Sequence, residues 1–182
     1  MGADEAYLVP ITTNIDTGGI AEIFKLFYEK NGPFDLVLLG ASSTDSFSST
    51  LGARIASLLG IPILPFADKV QVEENKITVE SSLEDGTYVY TASLPAVVTV
   101  TLEINEPRIP KLKDILKAKR KKIVELKPEE LGISELKSLI EIIETKAYEE
   151  ERKQIILDAS DPSKIDEVID KLIEHLKKEG VL

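Results

Sequence analysis

The sequence predicts an α/β domain with a mostly parallel sheet, extended by an antiparallel hairpin and followed by a helical arm. Three observations predict it. The run Asp35-Leu36-Val37-Leu38-Leu39-Gly40 is apolar throughout and closed by glycine, as in a parallel strand buried on both faces. From Lys69 to Thr101 the pattern turns to period two around Asp85-Gly86, a strong hairpin signal. After Asp161-Pro162 an apolar stripe recurs at helical spacing.

The elements follow in order. Residues 5 to 11 read as a short buried strand. Asp16-Thr17-Gly18-Gly19 starts a helix whose apolar face is Ile20, Ile23, Phe24 and Phe27, and Asn31-Gly32-Pro33 ends it. With the strand at 35–40 this makes one βαβ unit with a right-handed crossover. Next comes a hydroxyl-rich loop, Ala41 to Thr50, then a helix from Leu51 to Leu59 closed by Gly60. Ile63-Leu64-Pro65-Phe66 is a further strand. Val70, Val72, Ile77 and Val79 alternate with polar residues, and Pro95 to Val100 returns to a buried strand. The result is a mixed sheet. Ser134 to about Gln154 reads as a charged helix with Leu136, Leu139, Ile140 and Ile143 on one face. Ile165, Val168, Ile169, Leu172, Ile173 and Leu176 form the stripe of a last helix that Gly180 ends.

Composition narrows the chemistry. Of 182 residues, 43% are hydrophobic and 30% charged, the proportions of a folded chain. No cysteine is present, which excludes disulfides, thiol nucleophiles and cysteine metal sites. The one histidine, His175, lies off the apolar stripe, so no multi-histidine metal site exists. The carboxylate pairs Glu73-Glu74 and Glu129-Glu130 are not gathered into a pocket by any pattern. No apolar run approaches the roughly 18 residues of a membrane span, and Met1-Gly2-Ala3-Asp4-Glu5 has no signal-peptide character. The expectation is a cytoplasmic protein.

The net charge is −10, unfavourable for general nucleic-acid binding. It is unevenly spread. Residues 111 to 127 hold eight Lys or Arg against Asp114 and Glu125, a net of +6, which leaves −16 elsewhere. The plainer reading of such a run is a solvated helix face. A cationic patch that steers an acidic protein partner fits better, because the run has no aromatics for stacking on bases.

The loop at 40–50 is the best candidate site. Ligands of open α/β sheets sit beyond the carboxyl ends of the strands. A loop feeding a helix there offers free N–H groups and the positive end of the helix dipole to a phosphate. Ser48, Ser49 and Thr50 add hydroxyls. A loop that merely caps its helix is an equal reading from the residues alone. No Walker loop or dinucleotide fingerprint is present.

Six blocks of the chain resemble the β subunit of electron transfer flavoproteins. They are Met1-Gly2-Ala3-Asp4, Asp35 to Gly40 with Asp45 downstream, Leu94-Pro95-Ala96-Val97-Val98-Thr99, Asn105-Glu106-Pro107-Arg108-Ile109-Pro110, Lys117 to Ile123, and Lys127-Pro128-Glu129-Glu130-Leu131-Gly132. The likeness covers about 1–133 well and the C-terminal part loosely. It implies a Rossmann-like fold of the adenine nucleotide alpha hydrolase-like kind, with a nucleotide-binding-like domain over 1–133 and a helical arm over 134–182 that contacts the partner subunit. It implies an electron carrier without substrate turnover of its own, paired with an α subunit that holds most of the FAD. The loop matching Gly40, Ser42, Asp45, Ser46, Phe47, Ser48, Ser49, Thr50 and Leu51 would then form part of a site for AMP, or for a second FAD. The recognition loop matching 108–117 would dock acyl-CoA or other dehydrogenases through Arg108, Leu112, Lys113 and Lys117, with Leu112 as the anchor. Nucleic acid is not an expected partner, and membrane contact is only indirect.

Three departures bear on these expectations. Family members carry about 75 residues before this start, some two βα units at ordinary element lengths. Those units supply the other half of the nucleotide site, so their absence weighs against AMP. It also predicts an uncovered sheet edge or apolar face, and with it a partner chain or a homo-oligomer. The family's Asn-Gln-Thr near the helix start is here Ser49-Thr50-Leu51, which predicts weaker side-chain contacts to phosphate. In the hairpin, Ser81 and Tyr88 replace a basic residue and an acid. A stand-alone adenine-nucleotide-binding module is the alternative reading, and such a module has no reason to carry the 105–123 block. A non-functional remnant is a third.

Overall fold

The computed structural model describes residues 2–11, 15–133, 138, 140–147 and 154–182. The chain divides into two compact units, Met1–Glu141 and Ile142–Leu182. The first is α/β with both parallel and antiparallel sheets. Its elements are β1 (Ala6–Leu8), α1 (Thr17–Asn31), β2 (Leu36–Gly40), α2 (Leu51–Leu59), β3 (Ile63–Ala67), β4 (Lys69–Glu73), β5 (Lys76–Leu83), β6 (Gly86–Ser93), β7 (Ala96–Val100), α3 (Leu112–Arg120) and β8 (Ile123–Glu125).

The strand β7 is the centre of the parallel sheet, with β2 on one side and β3 on the other. Its residues Ala96, Val97, Val98 and Thr99 are all buried. Alternation sends Val97 to one face, where it packs with Ala21 of α1, Val37, and Ile55 and Ala56 of α2. Ala96 and Val98 take the other face, against Leu64, Ala67, Ile77 and Val79.

That second face corrects the expected mixed sheet. Strands β4, β5 and β6 form a separate antiparallel sheet, and its inner residues Ile77 and Val79 pack against the parallel one. The chain separates the two sheets at the end of β3. Its register with β7 shifts between Leu64 and Ala67, and Phe66 adopts a left-handed φ of 52°. Pro65 has no N–H to continue a ladder. The buried Ser81 hydroxyl donates to the Pro65 carbonyl at 2.7 Å and ties the sheets together there. Tyr88 lies on β6, stacks on Tyr90 and donates to Asp85 at 2.7 Å.

Two further expectations change. The first strand is short and exposed rather than buried, and β1 pairs in parallel with β8, not with β2. The stretch 5–40 is therefore not a βαβ unit within one ladder. The strand β2 is not buried on both faces either. It is a sheet edge, and Leu38 is 58% exposed.

Helix α1 begins where its sequence signals place it. The Asp16 carboxylate accepts from the Gly19 N–H at 2.9 Å. The helix α2 ends at Gly60, whose φ of 65° suits glycine at a helix C-terminus. Near its start, Gly52 lies against β7 so closely that an added Cβ would meet Thr99 Cγ2 at 2.4 Å.

In the second unit, Asp161 accepts from the Ser163 N–H at 3.0 Å and opens a 3-10 turn, Pro162–Lys164, that leads into α4 (Ile165–Lys178). Ile165, Ile169, Leu172 and Ile173 form its stripe as expected, and each keeps more than a third of its surface exposed. The expected charged helix over 134–154 is not seen at the described positions 140–147, which carry no helix. Leu136 and Leu139 lie outside the described residues. Ile140, Ile142 and Ile143 are β-branched and mostly exposed, so neither propensity nor packing holds a helix there.

Replacing Gly52 by Ala should cost about 1–3 kcal/mol, the usual penalty of overpacking a core contact. Ser81→Ala should cost about 1 kcal/mol through the loss of one buried hydrogen bond. Urea unfolding of both variants checks the two values, with Gly52→Ala the larger.

Candidate functional site

The loop after β2 is built by its own hydroxyls. The Ala41 N–H donates to the Val100 carbonyl at 2.8 Å, extending the β2–β7 ladder by one bond. The Phe47 N–H donates to the Ser43 carbonyl at 3.1 Å, and the Ser43 and Ser46 hydroxyls share a hydrogen bond of 2.8 Å. The Ser46 N–H donates to Asp45 Oδ1 at 2.8 Å. Phe47 and Ser49 then take left-handed φ values of 45° and 51°, and the chain turns into α2. The Ser43 hydroxyl, and after it the Ser46 N–H, hold the Asp45 carboxyl below the usual carboxylate range.

At the helix start, Thr50 sits in the capping position but gives the helix no side-chain hydrogen bond. Its hydroxyl instead lies 3.1 Å from the Thr17 hydroxyl, the first residue of α1. Two helix N-termini therefore meet at one point. The first-turn N–H groups of α2, the kind that point at an anion at a helix start, receive no oxygen from the Thr50 side chain.

Around this point lies a cavity of about 410 Å³. Seven of the nine expected loop residues line it: Gly40, Ser42, Asp45, Ser46, Ser48, Ser49 and Leu51. Phe47 and Thr50 do not, and Phe47 is 76% exposed. Thr17 and Ile20 of α1 complete the lining with Leu39, Ala41 and Ser43. Sequence reasoning missed Thr17 and Ile20. The signal was a second hydroxyl directly after a helix-capping Asp16, a position comparable to Thr50. Among the described residues that line the cavity, Asp45 is the one charged side chain.

The second candidate region is α3 and the segment before it. Leu112, Lys113 and Lys117 line a shallow hollow with Leu116 and Arg120, the i, i+4, i+8 side of the helix. Leu112 is 71% exposed, and Ile109 just before it is 91% exposed. Arg108 lies apart from that side, in a neighbouring hollow with Lys117, Lys119, Lys121 and Lys122. Lys117 lines both. Leu112, Lys113 and Lys117 thus share one hollow, and Arg108 shares the other with Lys117. The cations of the last turn, Lys117, Lys119 and Arg120, also suit the negative end of the helix dipole.

Among the described residues no group of acids and histidine is placed to hold a metal ion, and no helix is long and apolar enough to cross a membrane.

Comparison with known proteins places these features. A family model described as the electron transfer flavoprotein domain matches residues 1–131. The electron transfer flavoprotein subunit beta of Megasphaera elsdenii is 35% identical over 134 residues, which cover 69% of this chain and 50% of that protein. The mitochondrial subunit beta of Arabidopsis thaliana is 33% identical over 174 residues, 94% of this chain and 66% of that protein. The subunit beta of Mycobacterium tuberculosis H37Rv is 41% identical over 99 residues, 54% and 37% respectively. This chain spans between about a third and two thirds of the length of these relatives. Because the family model runs through both the hydroxyl-rich loop and the basic helix, the chain belongs to the electron transfer flavoprotein domain family.

Proposed function

We propose that this chain acts as the β subunit of an electron transfer flavoprotein, passing electrons from dehydrogenases through FAD held mainly by an α subunit. The match over residues 1–131 carries the reading. In this reading the chain turns over no substrate. The flavin supplies the redox chemistry, and the polypeptide supplies docking and orientation. The domain over 1–133 is read as Rossmann-like, with the parallel sheet under α1 and α2 as its supporting observation. The arm over 134–182 is read as the contact for the α subunit, which would cover the stripe Ile165, Ile169, Leu172 and Ile173 on α4.

Docking follows from the chemistry of α3. Leu112 stands 71% exposed among Lys111, Lys113 and Lys117. Cations of one sign orient an approaching acidic surface, and one apolar side chain can then fill a pocket and carry much of the binding energy.

The cavity beside α2 suits an adenine nucleotide in part. The uncapped N-terminus of α2 and the hydroxyls of Ser48 and Ser49 would hold the phosphate of AMP, and Leu39 and Ile20 offer apolar contact. Asp45 stays ionised and repels phosphate, so it is suited to accept from a ribose hydroxyl or an amine. The same polar lining supports the second reading, a nucleotide-binding module acting alone.

Co-expression with the α subunit of a relative tests the first reading. Size-exclusion chromatography should give a yellow heterodimer. A colourless chain that elutes apart from α would overturn it. Within that complex, Leu112→Ala should slow reduction by a dehydrogenase about tenfold, the effect of losing one interface anchor of about 1.4 kcal/mol. Stopped-flow absorbance reads the rate, and the flavin content should not change. Replacing Ser48 and Ser49 together by Ala should weaken AMP binding about tenfold by titration calorimetry, two hydrogen bonds at the low end of their usual worth. A carboxyl held below its ordinary range is already charged throughout pH 5–8. Asp45→Asn should therefore leave the shape of the AMP binding profile in that window unchanged, with any slope arising from the phosphate's own ionisation at about pH 6.

A further inference from the structure

Much of the positive charge around α3 is gathered on one concave surface. A hollow of about 500 Å³ lies between this helix, the start of β8 and the segment that leads into β1. Among the described residues its lining carries five cations, Arg108, Lys117, Lys119, Lys121 and Lys122, against two acids, Glu5 and Asp114. Two contacts join its walls. The Lys121 ammonium donates to the Ala3 carbonyl. The Arg108 guanidinium lies over Gly2, where an added Cβ would meet Arg108 Nη2 at 3.1 Å. The ladder partners Ala6 and Ile123, with Ala118 of α3, give the hollow an apolar part.

Neither acid pairs with these cations among the described residues. Glu5 accepts from the Tyr7 hydroxyl at 2.6 Å, and Asp114 sits in the first turn of α3, the end that favours a carboxylate. Lys117, Lys119 and Lys122 have no ion pair and no side-chain hydrogen bond among the described residues. The chain as a whole has a net charge of −10, so the shortage of acids here is one of placement. Charges of one sign facing a common hollow concentrate ions of the other. The hollow is also separate from the cavity beside α2. It opens at the first residues of β1 and β8, whereas the loop at 41–50 follows the last residue of β2, and the two share no lining residue.

We propose that this hollow binds a small organic polyphosphate, a chain of two or more phosphates joined to a ring body such as that of a nucleoside. Lys117, Lys119 and Lys122 hold the phosphates, and the ring lies against Ala6, Ala118 and Ile123. Lysine ammonium groups are point charges on flexible stems and suit the several oxygens of a phosphate chain. The volume falls within the range of about 300–1,000 Å³ usual for small-ligand sites. The mixed lining selects the class. An inorganic anion leaves the apolar side chains unused, and an uncharged ring leaves the lysines unanswered. One molecule that carries both features uses the whole hollow. Lys117 also lines the hollow of Leu112. An occupied site therefore withdraws a cation from partner docking. That consequence rests on the electron-transfer reading, and the binding itself does not.

The test titrates the full chain with ADP, free of divalent metal, and reads backbone amide shifts by NMR. Ala6, Ala118, Lys119 and Ile123 should shift and saturate together. Lys119→Gln combined with Lys122→Gln should weaken that binding at least about tenfold, through the loss of two charge-assisted contacts. Both side chains are exposed, so the double variant should keep its unfolding midpoint. Lys76→Gln combined with Lys178→Gln removes the same charge at exposed sites outside the hollow and should weaken binding less than about twofold, because salt screens distant charges. Shifts at Ser48 and Ser49 report the cavity beside α2 and should be alike in all variants. Pyrophosphate should bind the hollow at least about tenfold more weakly than ADP, because it leaves the apolar side chains in water. An absence of shifts at Ala6, Ala118 and Ile123 would overturn the proposal. So would equal weakening in the two double variants, or pyrophosphate binding as tightly as ADP.

Discussion

The burial of β7 on both faces is the constraint on which the first unit depends. A strand so placed must be apolar nearly throughout, and Ala96-Val97-Val98 meets that demand. Its Val97 face gathers α1 and α2, and its Ala96 and Val98 face gathers the hairpin sheet. Thr99 is the one polar residue in the run, and both parts of its side chain are used. Its hydroxyl accepts from the Phe66 N–H at 3.0 Å, where β3 turns away. Its methyl group lies under Gly52 and sets how closely α2 approaches. The position of the α2 N-terminus, and with it the cavity beside the hydroxyl-rich loop, follows from a contact inside the core.

Charge and apolar surface are divided between different parts of the molecule. Among the described residues, the lining of the cavity by α2 carries hydroxyls and one carboxylate but no cation. The cations cluster around α3, where apolar side chains also stand exposed. A small anionic ligand at α2 would be held by neutral donors and a helix dipole, each worth little in water. A large acidic surface at α3 would meet long-range attraction first and a single apolar contact afterwards. The two regions thus differ in the chemistry they offer to a ligand.

Most elements were legible in the sequence because their signals were local. Asp16, Gly60 and Asp85-Gly86 mark the ends of helices and a hairpin through backbone geometry that few other residues satisfy. The loop at 40–50 was legible as a candidate because hydroxyls gathered between a strand and a helix, and most of its residues line one cavity. Thr17 and Ile20 were not, since they precede the loop by a whole helix and a strand and reach it through the packing of α1 on α2. That Arg108 shares a hollow with Lys117 and not with Leu112 was equally hidden, because Arg108 precedes the helix and its direction depends on the fold.

By itself, then, the sequence determined the order and kind of most elements from α1 to β7, the uneven charge, and the motifs of its family, all of which are written in short stretches. Only the tertiary structure decided which strands pair. Periodicity reports how many faces of a strand are apolar, not which neighbour covers them. For that reason β1 was expected beside β2 and is found beside β8, and Leu38 was expected in a core and lies open. The helix expected over 134–154 fails at 140–147 on the same ground. An apolar face stabilises a helix only against a surface that receives it, and that surface is a property of the folded assembly.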